Sequence, residues 1–233
     1  MNLFYTDREI SGEKPAELVL EGQEAVHASR VMRIGKGGLI SVTDGRGSIF
    51  EGTVTRLSKD RLSIEVSGHT RYPMPSPRLV LAVGLIKKRD RLEFAVEKAA
   101  EMGVTEFIVF RGDNSEKQGV RLDRLEAAAL QAMKQSLRPW LPNVRESGNL
   151  SGLLSEYSSV KTVVADETIS TKRHELDVWK KEEKLLFIVG PEGGFSAAEK
   201  QVMSQKKVES FSLGRYRLRT ETAAIAIAGL FLD

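Results

Sequence analysis

A glycine-rich turn at the end of an apolar strand is the first feature of this sequence that could do chemistry. The apolar run Leu185–Val189 leads into Gly190–Gly194, and Ser196 with Glu199 has the spacing of a helix capping box. Glycine lets a ligand approach the backbone, and α/β sheets bind small molecules at the carboxyl ends of their strands. The turn matches neither a dinucleotide fingerprint nor a phosphate-binding loop. It predicts a small-molecule site, and an ordinary strand-to-helix turn is the alternative.

An arginine-rich segment near the C-terminus is the second candidate. A strand that ends at Gly214 is followed by Arg215, Arg217 and Arg219, and Glu221 then opens a helix of small residues. Guanidinium groups bind phosphates through several hydrogen bonds at once, so the segment predicts a phosphate contact. The alternatives are a solvated charged face for the arginines and a favourable helix-dipole interaction for Glu221.

The third candidate is the segment Gln135–Pro142, where a long predicted helix stops at paired prolines. Arg138 lies at the C-terminal end of that helix, where a cation interacts favourably with the helix dipole. A functional role for Arg138 is the other interpretation. Trp140 could stack on a base, although a partly buried core position is the usual environment of tryptophan.

The composition excludes several classes of site. The 233 residues contain no cysteine and three histidines that lie far apart in sequence, so thiol nucleophiles and thiolate zinc sites are impossible and we expect no metal. The longest apolar stretch, Ala223–Leu232, is about half the ~20 residues that a membrane span needs. The N-terminal residues lack a signal-peptide pattern. We therefore expect a soluble, cytoplasmic protein that does not contact a membrane.

The elements that must position these residues fall into two groups. Three prolines in residues 73–77 favour a stiff, extended linker, with an edge strand or surface loop as the alternative. Residues 1–72 predict a small β-barrel, and residues 78–233 predict an α/β domain with a largely parallel sheet. The predicted strands are 39–43, 48–57, 62–66, 79–83, 107–110, 162–165, 185–189 and 208–213, and the predicted helices are 24–33, 91–102, 121–137, 196–205 and 222–232.

The charged residues follow the same division. Residues 1–72 contain ten Lys and Arg against ten Asp and Glu, so the net charge of +3 arises entirely after them. After residue 72, the Lys and Arg residues cluster at 87–91 and 215–219. So small an excess does not by itself indicate a nucleic-acid partner.

Several motifs taken together resemble the ribosomal small-subunit RNA uridine-N3 methyltransferase family, a member of the knotted SPOUT superfamily. The two that carry most of the resemblance are Gly190–Gly194 and the run Leu213–Ala223, with its Leu-Arg-Thr-Glu-Thr sequence. The segments 88–104, 135–142 and 27–47 are similar to further landmarks of the family in the same order. The match therefore extends along most of the chain.

The resemblance implies a PUA-like RNA-binding β-barrel before a trefoil-knotted SPOUT methyltransferase domain of α/β class, which pairs as a homodimer. It implies S-adenosylmethionine as the methyl donor and a specific uridine of 16S ribosomal RNA, within the small ribosomal subunit, as the substrate. By motif match, the residues that hold the cofactor are Ala165, Glu167, Gly190, Pro191, Glu192, Gly193, Gly194, Leu213, Gly214, Leu218 and Thr222.

The same resemblance, with the chemistry of uracil N3, suggests catalytic and RNA-binding residues. We expect Arg219 and Arg138 to orient RNA phosphate or stabilise the anionic uracil, and Glu221 is the candidate proton acceptor. The expected RNA contacts are Arg30, Arg33, Arg46, Lys88, Arg91, Arg215 and Arg217.

The chain departs from the family pattern at a few places. Gly37-Gly38 stands where Gly-Asp is common, no arginine occupies the first few positions, and Tyr216 and Arg217 replace more apolar residues. Three alternatives remain: a knotted methyltransferase acting on transfer RNA or another ribosomal site, a non-catalytic RNA-binding or ribosome-assembly protein, and a small-molecule α/β enzyme. The last leaves the N-terminal barrel and the basic clusters unexplained.

Overall fold

The computed structural model describes residues 2–8, 10, 15–115, 119–168 and 174–232. By packing, the chain divides into two units. The first comprises residues 1–74 together with 133–141, and the second comprises residues 75–132 and 142–233. The division at Met74 and Pro75 falls within the proline-rich segment.

The first unit is built on one five-stranded sheet of order β1-β3-β4-β5-β2. Its strands are β1 (Leu3–Tyr5), β2 (Glu17–Glu21), β3 (Leu39–Thr43), β4 (Ser48–Leu57) and β5 (Arg61–Arg71), and its helix α1 (Gly22–Val26) continues as a π-helical turn (His27–Val31). All pairs are antiparallel except β1 with β3. Two irregularities in the β4–β5 register help the sheet to curl into a half-barrel, as the PUA-like prediction requires.

The core of the first unit lies on one side of this curled sheet. Phe4, Val42, Val54 and Ile64 are buried there against the α1 side, where Ala25 is buried too. In β3 and β4 the β-branched residues favour extended backbone, and a turn through Asp44–Gly47 joins the two strands.

The segment 133–141 completes the first unit, although it follows a helix of the second in sequence. The Gly47 N–H donates to the Pro139 carbonyl at 2.8 Å, and the Leu141 N–H donates to the Gly45 carbonyl at 2.9 Å. The Trp140 ring packs on Gly47, where a Cβ atom would lie 2.3 Å from the ring. Trp140 is therefore a packing residue of this unit.

The second unit is a six-stranded, all-parallel sheet of order β11-β9-β10-β6-β7-β8. Its strands are β6 (Arg78–Gly84), β7 (Glu106–Arg111), β8 (Asn143–Asn149), β9 (Lys161–Ala165), β10 (Lys184–Val189) and β11 (Glu209–Phe211). Its helices are α2 (Arg89–Glu101), α3 (Leu122–Gln135), α4 (Leu150–Glu156), α5 (His174–Trp179), α6 (Ala197–Gln205) and α7 (Thr220–Leu230).

Helices cover both faces of this sheet. In β6, Leu79 and Leu81 join a core with α2, α3, α5 and α7, whereas Val80 and Ala82 join a second core with α4 and α6. Successive strand residues point to opposite faces, so a strand covered on both sides is apolar throughout. The predicted α/β class is confirmed.

The predicted elements are present, with shifted ends, and five more were not predicted: β1, β2, β8, α4 and α5. Strand β8 was missed because its sequence is mostly polar and only Val144 is buried in it. Helix α7 begins at Thr220 rather than residue 222, and β11 is shorter than predicted.

A hydrogen-bonded cluster joins the amino ends of the central strands of the second unit. Glu106 accepts a hydrogen bond from the Tyr157 hydroxyl at 2.7 Å and one from Arg145 Nε at 2.8 Å, and Lys184 Nζ lies 3.6 Å from it. Burial raises the pKa of Glu106, but these bonds and charges outweigh it and the pKa is lowered overall. Burial and the bond to Glu106 raise the pKa of Tyr157 to about 12.

Candidate active site

A cavity of about 540 Å³ in the second unit lies at the carboxyl ends of β9 and β10. This is the position at which open α/β sheets bind ligands. Its walls combine apolar side chains with backbone and charged groups. The predicted cofactor residues that line it are Ala165, Glu167, Gly190, Pro191, Glu192, Gly194, Leu213, Gly214 and Leu218.

The glycine-rich turn forms this wall by packing closely against the Phe195 ring and against the end of β6. A Cβ atom on Gly190 would lie 2.9 Å from the Phe195 ring. At the end of β6, a Cβ on Gly84 would lie 2.5 Å from both Cδ and N of Pro191. Distances this short leave no room for a side chain, so both glycines are required for the turn to pack against β6.

Hydrogen bonds to residues of three other segments hold the turn. The Thr220 hydroxyl, in the first residue of α7, donates to the Gly190 carbonyl at 3.0 Å. The Asn114 side-chain amide donates to the carbonyls of Gly193 and Gly194, at 3.2 Å each. The Glu192 carboxylate accepts a hydrogen bond from the Lys87 N–H at 3.0 Å. The turn is therefore fixed on both sides.

Two predicted cofactor residues lie outside the residues that line the cavity. Gly193 faces the loop after β7, and a Cβ there would meet Asn114 Cβ at 2.9 Å. A side chain at Gly193 would therefore push against that loop rather than fill the cavity. Thr222 is an exposed residue in the first turn of α7. Direct cofactor contact by these two residues stays a prediction.

The arginine-rich segment forms another part of the cavity wall. Arg219 precedes α7 as its N-cap residue and lines the cavity. Arg217 also lines it, and its Nε lies 3.4 Å from Glu167 Oε2 at the end of β9. Arg215 stands over the ring of Tyr216, 5.7 Å from its centre. This wall presents several cations where a phosphate or an anionic base could enter.

Glu221 is buried and ion-paired, and it does not line the cavity. Its side chain is 9% exposed, and its Oε1 lies 3.5 Å from Arg91 Nε. Its Oε2 accepts no hydrogen bond from any residue that the structure describes. The other side of the Arg91 guanidinium lies 3.8 Å from Glu192 Oε1. Arg91, which we predicted to contact RNA, thus pairs with two carboxylates at the cavity wall.

The remaining predicted residues lie elsewhere. Arg30, Arg33 and Arg46 are exposed on the first unit, and Arg138 packs with that unit too. Lys88 is exposed and precedes α2 in the second unit. Contact of these five residues with RNA stays a prediction.

Several contributors to the site were not predicted from the sequence, among them Asn114, Thr220 and Lys200, the last being an exposed lysine of α6 that lines the cavity. Asn114 follows a strand, and asparagine there indicates a turn. Nothing in the sequence pairs it with glycines 79 and 80 residues away.

Two classes of feature are absent from the described residues. None of their helices is long and apolar enough to cross a membrane. They also contain no cluster of three or more His, Cys, Asp or Glu residues that could hold a metal ion.

Comparison with known proteins relates both units to RNA-modifying enzymes. Residues 73–232 match a family described as an RNA methyltransferase domain, and residues 20–67 match an RNA methyltransferase PUA domain. Ribosomal RNA small subunit methyltransferase E of Aquifex aeolicus is 28% identical and covers 100% of both chains. The enzyme of the same name from Bacillus subtilis is 30% identical over 88% of this chain and 86% of its own.

Solved structures agree. Ribosomal RNA small subunit methyltransferase E from Neisseria gonorrhoeae, bound to S-adenosylmethionine, has a TM-score of 0.84 and 26% identity, covering 98% of this chain and 95% of that one. A probable rRNA methyltransferase from Porphyromonas gingivalis has a TM-score of 0.82 and 28% identity, covering 98% and 96%. Since the RNA methyltransferase domain spans more than half of the chain and the Bacillus relative aligns with most of it, the chain belongs to the ribosomal RNA small subunit methyltransferase E family.

Proposed function

We propose that this protein transfers a methyl group from S-adenosylmethionine to N3 of a uridine in 16S ribosomal RNA, within the small ribosomal subunit. The observation that carries the proposal is the cavity itself. It joins the glycine turn 190–194, suited to a small molecule, to the arginines 217 and 219, suited to RNA. An rRNA substrate would place the reaction in the cytoplasm.

The cavity suits S-adenosylmethionine in size and chemistry. Its volume of about 540 Å³ lies within the range of small-molecule sites. Val189, Leu213 and Leu218 would supply apolar surface to the cofactor, and the turn would offer it backbone N–H and C=O groups. Glu167 and Glu192 are acceptors for hydroxyl and ammonium groups. When bound, the cofactor supplies a methyl group already activated by its sulfonium.

The protein's own task is to position uracil and stabilise its anion. N3 lies on the base-pairing edge, so the target nucleotide must be unpaired or flipped out of its stack. Methylation at N3 also requires loss of the imide proton. Arg219, at the cavity wall, is placed to stabilise the resulting negative charge. The bond between Thr220 and Gly190 holds the start of α7 beside the glycine turn, so the backbone that carries Arg219 is fixed at the cavity.

Glu221 stays the candidate acceptor of the uracil imide proton. Substitution at this position can test that role. Its Oε2 lone pairs are free of described partners, yet its Oε1 pairs with Arg91 and the carboxylate is not part of the cavity lining. Substituting Glu221→Gln separates two roles. Lost turnover with unchanged affinity for S-adenosylmethionine supports proton acceptance, whereas lost affinity supports a positioning role.

We also propose a homodimer formed through the second unit. Helix α7 exposes Thr222 and Gly229, which lie on one side of the helix, and Leu232, beyond its C-terminal end, is exposed too. Phe94 of α2, the helix that packs on α7, is exposed as well. Exposed apolar surface of this kind is typical of an interface. Sedimentation of the wild type and Gly229→Arg tests this, since the arginine should yield monomers. The trefoil knot stays a prediction of the family resemblance.

The experiment that tests the function uses purified protein, labelled S-adenosylmethionine and small subunits from a strain that lacks this methyltransferase. We expect label in the rRNA and 3-methyluridine as the product by nucleoside mass spectrometry. Label at another base atom, or in transfer RNA alone, would identify a different methyltransferase. Absence of label in every RNA, with the cofactor bound, would indicate a non-catalytic RNA-binding protein.

A further inference from the structure

Tyr216 is the most exposed aromatic side chain among the described residues. It is 77% exposed, compared with 47% for Phe94 and 40% for Tyr72. Exposed apolar side chains that stand alone on a surface are ordinary. Tyr216 differs because it lines the cavity proposed as the active site.

Its neighbours in sequence are both arginines. The Arg215 guanidinium stands 5.7 Å from the centre of the Tyr216 ring, within the range of a cation–π contact. Arg217, the next residue, forms an ion pair with Glu167 and lines the same cavity. Tyr216 thus presents a flat apolar surface next to basic side chains.

That combination matches the chemistry of single-stranded RNA. Unpaired bases stack on aromatic side chains, and nearby cations attract the adjoining phosphates. At the exposed rim, the ring is better placed for a base beside the target nucleotide than for the target itself, whose N3 must reach the cofactor inside the cavity.

We infer that Tyr216 is a stacking platform for an unpaired nucleobase that flanks the target uridine. The inference rests on the proposed function and specifies how its RNA is held. The platform keeps the substrate strand open at the cavity mouth, and Arg215 fixes the ring and contacts the phosphate backbone. Because every base has a stacking face, the contact favours unpaired over paired RNA rather than one sequence.

The test compares Tyr216→Ala, Tyr216→Phe and Arg215→Ala in binding a single-stranded RNA oligonucleotide, its duplex form and S-adenosylmethionine. Loss of one stacked base costs about 1–3 kcal/mol, so Tyr216→Ala should weaken single-strand binding about 5- to 150-fold. Phenylalanine should restore the affinity because the ring is kept. Duplex binding and cofactor affinity should change little with Tyr216→Ala.

Salt dependence separates stacking from charge. Each phosphate contact contributes about −0.7 to the slope of log K against log salt for a single strand, so Arg215→Ala should flatten the slope whereas Tyr216→Ala should not. Tyr72→Ala, at an exposed tyrosine outside the cavity, is the matched control.

Equal weakening of single-strand and duplex binding would overturn the inference, as would a parallel loss of cofactor affinity, since the ring would then serve the cofactor. Unchanged RNA binding by Tyr216→Ala would overturn it too. Failure of the proposed function is recognised separately, as absence of 3-methyluridine in the wild-type reaction while the Tyr216 effect on RNA binding persists.

Discussion

Arg91 and Glu221 form an ion pair, with 3.5 Å between Arg91 Nε and Glu221 Oε1, although one lies in the first turn of α2 and the other in the first turn of α7. Arg91 also faces Glu192 in the glycine turn. Its guanidinium therefore connects two elements that build the cavity, and a carboxylate that is only 9% exposed has its counter-ion there.

Replacing Arg91 by Met should weaken S-adenosylmethionine binding because a buried carboxylate loses its partner. Leaving a buried polar group unsatisfied costs about 1–3 kcal/mol, so the affinity decreases by at most about 150-fold, which would require the whole cost to fall on the cofactor-bound form. Calorimetry measures this, and the double variant Arg91→Met with Glu221→Gln should recover part of the loss. If Arg91 instead binds an RNA phosphate, cofactor affinity will stay at the wild-type value and the salt slope of RNA binding will flatten.

Replacing Asn114 should lower the affinity for S-adenosylmethionine, although Asn114 does not line the cavity. Asn114→Ala removes both hydrogen bonds to the carbonyls of Gly193 and Gly194. At about 0.5–1.5 kcal/mol per bond, we expect a decrease in affinity of about 5- to 150-fold at most, measured by calorimetry. Asn149→Ala is the control, because that side chain caps α4 instead. Equal cofactor affinities in the two variants would show that the turn keeps its shape without Asn114.

Gly84→Ala should destabilise the second unit, because the new methyl group would stand 2.5 Å from Pro191. Overpacking of this kind typically costs about 1–3 kcal/mol in the free energy of unfolding. Gly148→Ala places a methyl group where nothing lies within 4 Å and is the matched control. Urea unfolding measures both, and a Gly84→Ala variant as stable as the control would show that the turn can move away from β6.

Tyr157 should make stability decline at high pH. Its pKa in the folded protein is about 12, above the ordinary value of 10.0, so its stabilising contribution is complete below pH 10 and is lost as the pH rises towards 12. Near neutrality, Tyr157→Phe should cost about 1.5–3 kcal/mol, since a hydrogen bond to the charged Glu106 is removed. Chemical unfolding across this range checks both statements. A difference in unfolding free energy between variant and wild type that stays constant up to pH 12 contradicts the predicted decline at high pH.

Glu106 should make the stability of the folded protein decline at low pH. Its pKa is lowered in the folded protein, so its contribution is complete above the ordinary value of 4.5 and is lost as the pH falls below it. In a Tyr157→Phe background the acid decline should be smaller and should end at a higher pH, because one of the bonds that favour the ionised carboxylate is gone and the folded pKa is lowered less.

Local patterns in the sequence were enough to predict most of the second unit. Apolar strands such as β10 and the capping box at Ser196 and Glu199 are encoded within a few residues, and both are present. The family resemblance, rather than any local pattern, assigned the glycine turn and the arginine-rich segment to one site. A polar edge strand such as β8 carries no such pattern, so it could not be predicted.

Pairings between distant residues were beyond local patterns. The position of Arg91 between Glu192 and Glu221 depends on the ordering of β6 beside β10, which neither segment specifies alone. In the sequence, Arg91 is only one of several basic residues in the cluster 87–91. For the same reason Arg138 could be grouped with Arg219 by motif, whereas packing assigns it to the first unit.

The residues 133–141 that complete the first unit have a consequence for biosynthesis. During translation, the residues of β1 to β5 are synthesised long before Pro139, Trp140 and Leu141. The hairpin turn at Gly45–Gly47 therefore lacks its backbone partners until well over half of the polypeptide has been made. The first unit therefore cannot be transferred to another protein by cutting the chain at the proline-rich segment 73–77. Residues 133–141 belong to that unit but follow the first strands and helices of the second unit in sequence.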